Sequence, residues 1–139
     1  MNIKEASART GLSADTLRYY EKEGLIPPVR RDASGYRDYD EHTLSWIELI
    51  QLFRGTGIPV SRFAEYVKLA FSDSDTKEAR RAILADIRDD LKERIARLQS
   101  CLDVTEYKLA NYDDLCDPVT MERVEAWKQA AKDGAGNSQ

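Results

Sequence analysis

The residues of this chain best suited to chemistry are cations interleaved with aromatics. Arg18-Tyr19-Tyr20 is followed by Lys22, four positions after Arg18 and therefore on the same face of a helix. A second set follows at Arg30-Arg31 and at Tyr36-Arg37-Asp38-Tyr39, and Arg54 stands before Gly55-Thr56-Gly57. Guanidinium and ammonium groups pair with phosphate, while a phenol can pack under them or touch a sugar. The chemistry this set could do is to hold the phosphate backbone of a nucleic acid. No competing constellation is present in the sequence: there is no nucleophile–base pair and no phosphate-cradling glycine loop, and His42 is the single histidine. The chain is therefore read as a non-enzyme without a cofactor.

Charge shapes that reading. The whole chain carries a net charge of −4, which argues against an indiscriminate polyanion binder. Between Arg18 and Arg37, however, five cations (Arg18, Lys22, Arg30, Arg31, Arg37) face three anions (Glu21, Glu23, Asp32), a local balance of 5 − 3 = +2. A locally basic face on an acidic protein fits a site-specific binder acting as a dimer. Apolar residues make up 42% and charged residues 33%, which favours a helix-rich domain over a sandwich or barrel. No apolar run reaches the roughly 20 residues that cross a bilayer, and MNIKEASART lacks a signal peptide's apolar core. The expectation is cytoplasmic residence with no membrane partner.

These cations must be positioned by local elements. Ile3–Thr10 reads as a short helix with one thin apolar side, ended by Gly11. Ser13 is a good N-cap and Asp15 complements the positive end of the next helix, which runs to Gly24. Ala14, Leu17, Tyr20 and Leu25 can face inward, leaving Thr16, Arg18, Tyr19 and Lys22 outward. A short helix, a glycine turn and a capped helix make a helix-turn-helix. Pro27-Pro28 forces an extended path, and Val29–Arg31, a turn over Asp32–Gly35 and a return over Tyr36–Tyr39 read as a hairpin. Asp40 caps a third helix with Leu44, Ile47, Leu49, Ile50, Leu52 and Phe53 apolar. A fourth helix begins after Pro59, with Ser61 as its cap and Phe63, Val67, Leu69, Ala70 and Phe71 on its buried face.

The polar stretch 72–76 reads as a linker between a domain over 1–71 and a long helix over 77–116. Leu84, Leu91, Ile95, Leu98, Leu102, Thr105, Leu109 and Tyr112 advance mostly by fours and threes, the seam of a coiled coil. One such helix leaves its seam wet, so the partner is the same helix of a second copy. Asp117-Pro118 is expected to break it, leaving one short helix over Met121–Ala131 and a disordered DGAGNSQ tail.

In order and wording, TLRYYEKEGLIPP, RDASGYRDYDE and WIELIQLFRGTGIPVSRF resemble the MerR family of bacterial transcription regulators, over about residues 1–71. The resemblance implies a mainly α fold: a winged helix-turn-helix with a small β-hairpin wing, then a long dimerisation helix forming an antiparallel coiled coil. It implies a homodimer on a pseudo-palindromic operator of double-stranded promoter DNA, within an over-long spacer. Bending and untwisting that DNA lets RNA polymerase engage both promoter elements, so polymerase is a partner only through the promoter. Position by position, Thr16, Arg18 and Tyr19 match recognition-helix contacts and Tyr20 a structural aromatic. Arg30, Arg31, Gly35, Tyr36, Arg37 and Tyr39 match the wing, and Arg54 with Gly57–Pro59 a second phosphate-contacting corner. The wording is nearest to the branch responding to aldehydes or other electrophiles. That branch carries a cysteine in the third helix where this chain has Leu52, so the resemblance does not carry over thiol sensing there.

Two other thiols are present. Cys101 and Cys116 are fifteen residues apart, about 22 Å along a helix, and cannot share a metal within one subunit. No metal site is expected. Cys101 lies beside the seam as a small apolar residue, and Cys116 is flanked by Asp113, Asp114 and Asp117, which disfavour a thiolate. Both remain candidate redox sensors. No large ligand domain is expected after residue 112, leaving the coiled coil, the helix junctions and the tail for an effector. The competing reading is a helical adaptor whose coiled coil recruits a protein and whose basic hairpin is only solvated.

Overall fold

A computed structural model describes residues 1–136. In chain order the elements are α1 (Ile3–Thr10), α2 (Ala14–Lys22), β1 (Arg30–Arg31), β2 (Arg37–Asp38), α3 (Glu41–Phe53), α4 (Ser61–Ala70), α5 (Lys77–Ala110) and α6 (Asp117–Gly136), with a π-helical turn at Tyr112–Cys116 before α6. This is the mainly helical, winged helix-turn-helix chain with a long following helix that the sequence implies.

The first helices are set by their caps. Asn2 accepts from the Glu5 N–H while Glu5 returns a bond to the Asn2 N–H, a capping box that starts α1. Gly11 ends α1 at φ 74°, a left-handed conformation that costs glycine least. Ser13 caps α2 by accepting from Thr16 N–H at 3.1 Å. Asp40 caps α3 through Thr43, whose N–H and hydroxyl hold its carboxyl below the ordinary carboxylate range. At α4 the cap is Val60 with no side-chain bond; Ser61 is the first helical residue, so its expected capping role is not seen.

A compact unit runs Met1–Leu91, past the polar stretch at 72–76. Leu17, Tyr20, Leu25, Ile26 and Val29 meet Leu44, Ile47 and Ile50 of α3 and Phe63 of α4 in one core. Phe53 and Phe63 stack tilted with centroids 4.8 Å apart, joining α3 to α4. Arg9 forms a forked pair with Glu41 at 2.6 and 2.9 Å, and Gln51 donates to the Thr10 carbonyl at 2.8 Å, so the C-terminal end of α1 is tied to α3 near both of its ends. The start of α5 belongs to this body too. Ile87 is buried, Ile83 and Leu91 are half-buried against the core, and Arg62 pairs with Asp90 at 2.9 Å. Leu91, placed in the seam by periodicity, is thus partly used within its own chain.

Two burial assignments, Ala70 and Phe71, are corrected, and the apolar Leu52 is found on the surface. Leu52 is 72% exposed because α3 buries only the stripe Leu44, Ile47 and Ile50, and Leu52 falls on its far side. Phe71 and Ala70 are exposed, since the buried face of α4 ends at Val67. The tail is also more regular than expected. Asp117-Pro118 begins α6 rather than breaking the chain, because a proline in the first turn gives up an N–H that has no helical partner. Helix α6 spans 20 residues to Gly136, so Asp133–Gly136 of the expected disordered tail is helical; the rest of that tail lies outside the described residues. From Lys92 onward the chain forms a second unit of α5, the π turn and α6. Leu84, Ile95, Leu98, Leu102, Leu109 and Tyr112 are all exposed on the single chain.

Candidate nucleic-acid interface

The wing is shorter than its sequence pattern. Two residues pair on each side, Arg30 with Asp38 and Arg31 with Arg37, antiparallel. Strands stop there because the flanking N–H groups are taken elsewhere. Val29 N–H donates to Glu21 Oε2 at 2.6 Å, and Tyr39 N–H donates to the Met1 carbonyl at 2.7 Å. The turn is built by Asp32, whose Oδ1 accepts from Ser34 and Tyr36 N–H, and by Gly35 at φ 84°.

Glu21 is the residue that sequence reading missed. It was counted only as a negative charge, yet its second oxygen accepts from Arg37 Nε at 2.7 Å, so one side chain of α2 holds both strands' approaches. Burial pushes its carboxyl up, but the bonds from Arg37 and Val29 together outweigh burial and hold it below the ordinary value of 4.5. No periodicity rule links positions 21, 29 and 37, so nothing local signalled this. The Met1 amino group adds a second tie, donating to Asp38 Oδ1 at 2.8 Å and to the Tyr39 carbonyl at 2.7 Å.

This scaffold sorts the cations. Arg18 projects from α2 and pairs with Asp15 at 3.0 Å, with both side chains well exposed. Such a pair is worth only about 0.2–1 kcal/mol and exchanges readily for a phosphate. Arg30, Arg31 and Lys22 are exposed as well. Arg37 is different: its side chain and that of Glu21 are 24% and 15% exposed, so its Nε stays committed to the scaffold. Tyr19 and Tyr36 are exposed at 55% and 72%. Thr16 is half-buried, with its hydroxyl 2.9 Å from Ser13 Oγ. Arg18, Arg31, Tyr36 and Arg37, with Asp32 the single acid, line a hollow of about 390 Å³ between α2 and the wing, closed on one side by Asn2 and Ile3 at the start of α1. Arg54 is exposed beyond the end of α3 and does not line it.

Tyr39 is a correction. It is fully buried in the core, so it cannot touch sugar or phosphate; burial pushes its phenol up, and its hydroxyl has no hydrogen-bond partner among the described residues. A buried hydroxyl without a partner carries a desolvation cost of about 1–3 kcal/mol. Tyr39→Phe is therefore expected to raise stability by about 1 kcal/mol, read as a higher urea midpoint at unchanged slope, while leaving DNA affinity as it was. A loss of affinity would return Tyr39 to the interface.

The thiols belong to the second unit, from Lys92 onward. Cys101 is exposed on the single chain, and Cys116 is half-buried with Sγ 4.0 Å from Thr120 Oγ1. Among the described residues no cluster of three metal-ligating side chains occurs, and no helix is long and apolar enough to cross a membrane.

Comparison with known proteins agrees with this geometry. A family model described as MerR family regulatory protein matches residues 2–39, which hold α1, α2 and the wing. The HTH-type transcriptional regulator AdhR of Bacillus subtilis (strain 168) is 50% identical over 93 residues, 67% of this chain and 66% of that regulator. A crystal structure of a Listeria monocytogenes chain assigned as a MerR family transcriptional regulator superposes with a TM-score of 0.77 at 38% identity, covering 94% of this chain and 98% of that one. HiNmlR, a MerR family regulator lacking the sensor domain and crystallised bound to promoter DNA, gives 0.70 at 36% identity, covering 81% and 89%. A family model over α1, α2 and the wing, together with MerR family regulators at 36–38% identity that superpose over most of both chains, places this chain in the MerR family of transcriptional regulators.

Proposed function

We propose that the protein is a homodimeric, cytoplasmic regulator that binds a pseudo-palindromic operator in promoter DNA. It controls transcription by bending and untwisting that DNA, so that RNA polymerase engages both promoter elements. The observation that carries the reading is the hollow between α2 and the wing, where three arginines and Tyr36 converge from two elements on one side of the body. Convergent cations on a net-acidic chain favour a built phosphate site over a solvated face. In this reading Arg18, Tyr19 and Lys22 face a groove, Arg30, Arg31 and Tyr36 grip the flanking backbone, and Arg54 takes a second phosphate. Arg37 contributes mainly by holding the wing to α2. The exposed seam of α5 joins two copies, which sets half-sites about one helical turn, roughly 34 Å, or a multiple apart.

Titration of promoter DNA at two salt concentrations tests this. Arg31→Ala is expected to weaken binding to all sequences alike and to lower the salt slope by about 1. Arg18→Ala is expected to cost about 1–3 kcal/mol and to narrow the difference between operator and random DNA. Wild-type protein without sequence preference, together with variants that bind unchanged, would point to the helical adaptor.

A further inference from the structure

The bend between α5 and α6 has an apolar face that the coiled-coil seam does not account for. At about 100° per residue, positions two, five and nine after Leu102 lie roughly 200°, 140° and 180° round the helix. Val104, Tyr107 and Asn111 therefore sit opposite Leu98, Leu102 and Leu109. Val104 and Tyr107 are nevertheless more than half exposed, as is Leu115 in the turn. The face is concave at the π turn: Leu115 and Cys116 N–H both bond to the Asn111 carbonyl, at 2.9 and 3.1 Å, and residues of α5, the turn and α6 line one hollow. Such turns are frequent at functional sites.

The concavity is a cavity of about 390 Å³ walled by Val104, Tyr107, Leu115 and Val119, within the size range of small-molecule sites. Its charged lining is unbalanced. Lys108 and Arg123 enter from the two helices, and neither has an ion-pair partner among the described residues. The one lining acid, Asp103, already accepts from Gln99 Nε2 at 2.7 Å. Apolar walls with two unpaired cations suit an apolar body ending in an anion, and disfavour a cation of the same shape.

We propose that this bend binds a small amphipathic anion, an aliphatic or aromatic body carrying one carboxylate-like group. The site is independent of the DNA reading, because its test contains no DNA. Isothermal titration of the full-length protein with octanoate is expected to show saturable binding, and octylammonium is expected to bind at least about fivefold more weakly. The double variant Lys108→Gln/Arg123→Gln is expected to weaken octanoate about five- to tenfold. Val104→Asp, at an exposed position that tolerates the change, is expected to abolish the binding and leave sedimentation unaltered. No saturable heat, equal binding of the two probes, or full octanoate binding by either variant overturns the proposal. A changed oligomeric state in Val104→Asp overturns it too, since the face would then be a contact between copies.

Discussion

Replacing Leu98 by aspartate is expected to leave the protein monomeric at concentrations where the parent sediments as a dimer, and to remove most of its operator affinity. Leu98 is 69% exposed on the single chain, midway along a seam that also exposes Ile95, Leu102 and Leu109. Burying one leucine is worth roughly 2 kcal/mol, and a carboxylate buried among apolar neighbours costs more than that again. A symmetric dimer carries the lesion twice, so the two lost leucines alone weaken association by about 4 kcal/mol, a factor of roughly a thousand, and the buried carboxylates add to that. Operator binding falls with it, because two linked half-site readers become two independent ones. A Leu98→Asp protein that sediments like its parent would refute the seam.

Removal of the Glu21 carboxylate is expected to have the largest effect within one subunit. Glu21→Ala strands Val29 N–H and leaves the half-buried Arg37 without its acceptor. Losing a bond to a charged partner and leaving a buried donor unpaired together cost about 2–4 kcal/mol. Chemical denaturation should show this as a lower midpoint. Operator affinity should fall more than in Arg30→Ala, because the wing loses its tie to α2 and keeps only the one through Met1. The pH dependence follows from the direction of the shift. A carboxyl held below its ordinary value binds its proton less readily when folded, so its stabilisation is complete above pH 4.5 and is lost as pH falls below that value. The stability gap between parent and Glu21→Gln should therefore be widest near neutrality and close in acid. A gap that is constant from neutrality down through that window would mean the carboxylate charge contributes nothing.

Both effects show where local sequence information ends. Periodicity and caps were enough to place α1 to α5, since helix starts are decided by neighbours such as Ser13 with Thr16 and Asp40 with Thr43. They were enough to mark Arg18, Tyr19, Lys22, Arg30, Arg31 and Tyr36 as outward residues, because a two-sided element has only two places to put a side chain. The seam, too, was readable as a spacing. Ala70 and Phe71 were misassigned because an apolar type does not say which side of an amphipathic helix meets a neighbour. Tyr39 was misassigned because both strand ends look alike until the hairpin docks on the core. Proline at position 118 was read as a stop, when its place in a first turn made it a start.

What the sequence determined by itself, then, was helices α1 to α5 and the basic-aromatic face, both consequences of interactions within about one helical turn. Tertiary structure alone decided that Glu21 joins α2 to the wing across 8 and 16 residues, that Arg37 is held by it, and that α5 is pinned to its own body through Ile87 and the Arg62–Asp90 pair. Those contacts depend on how separately formed elements approach one another, and burial, not spacing, selects the partners.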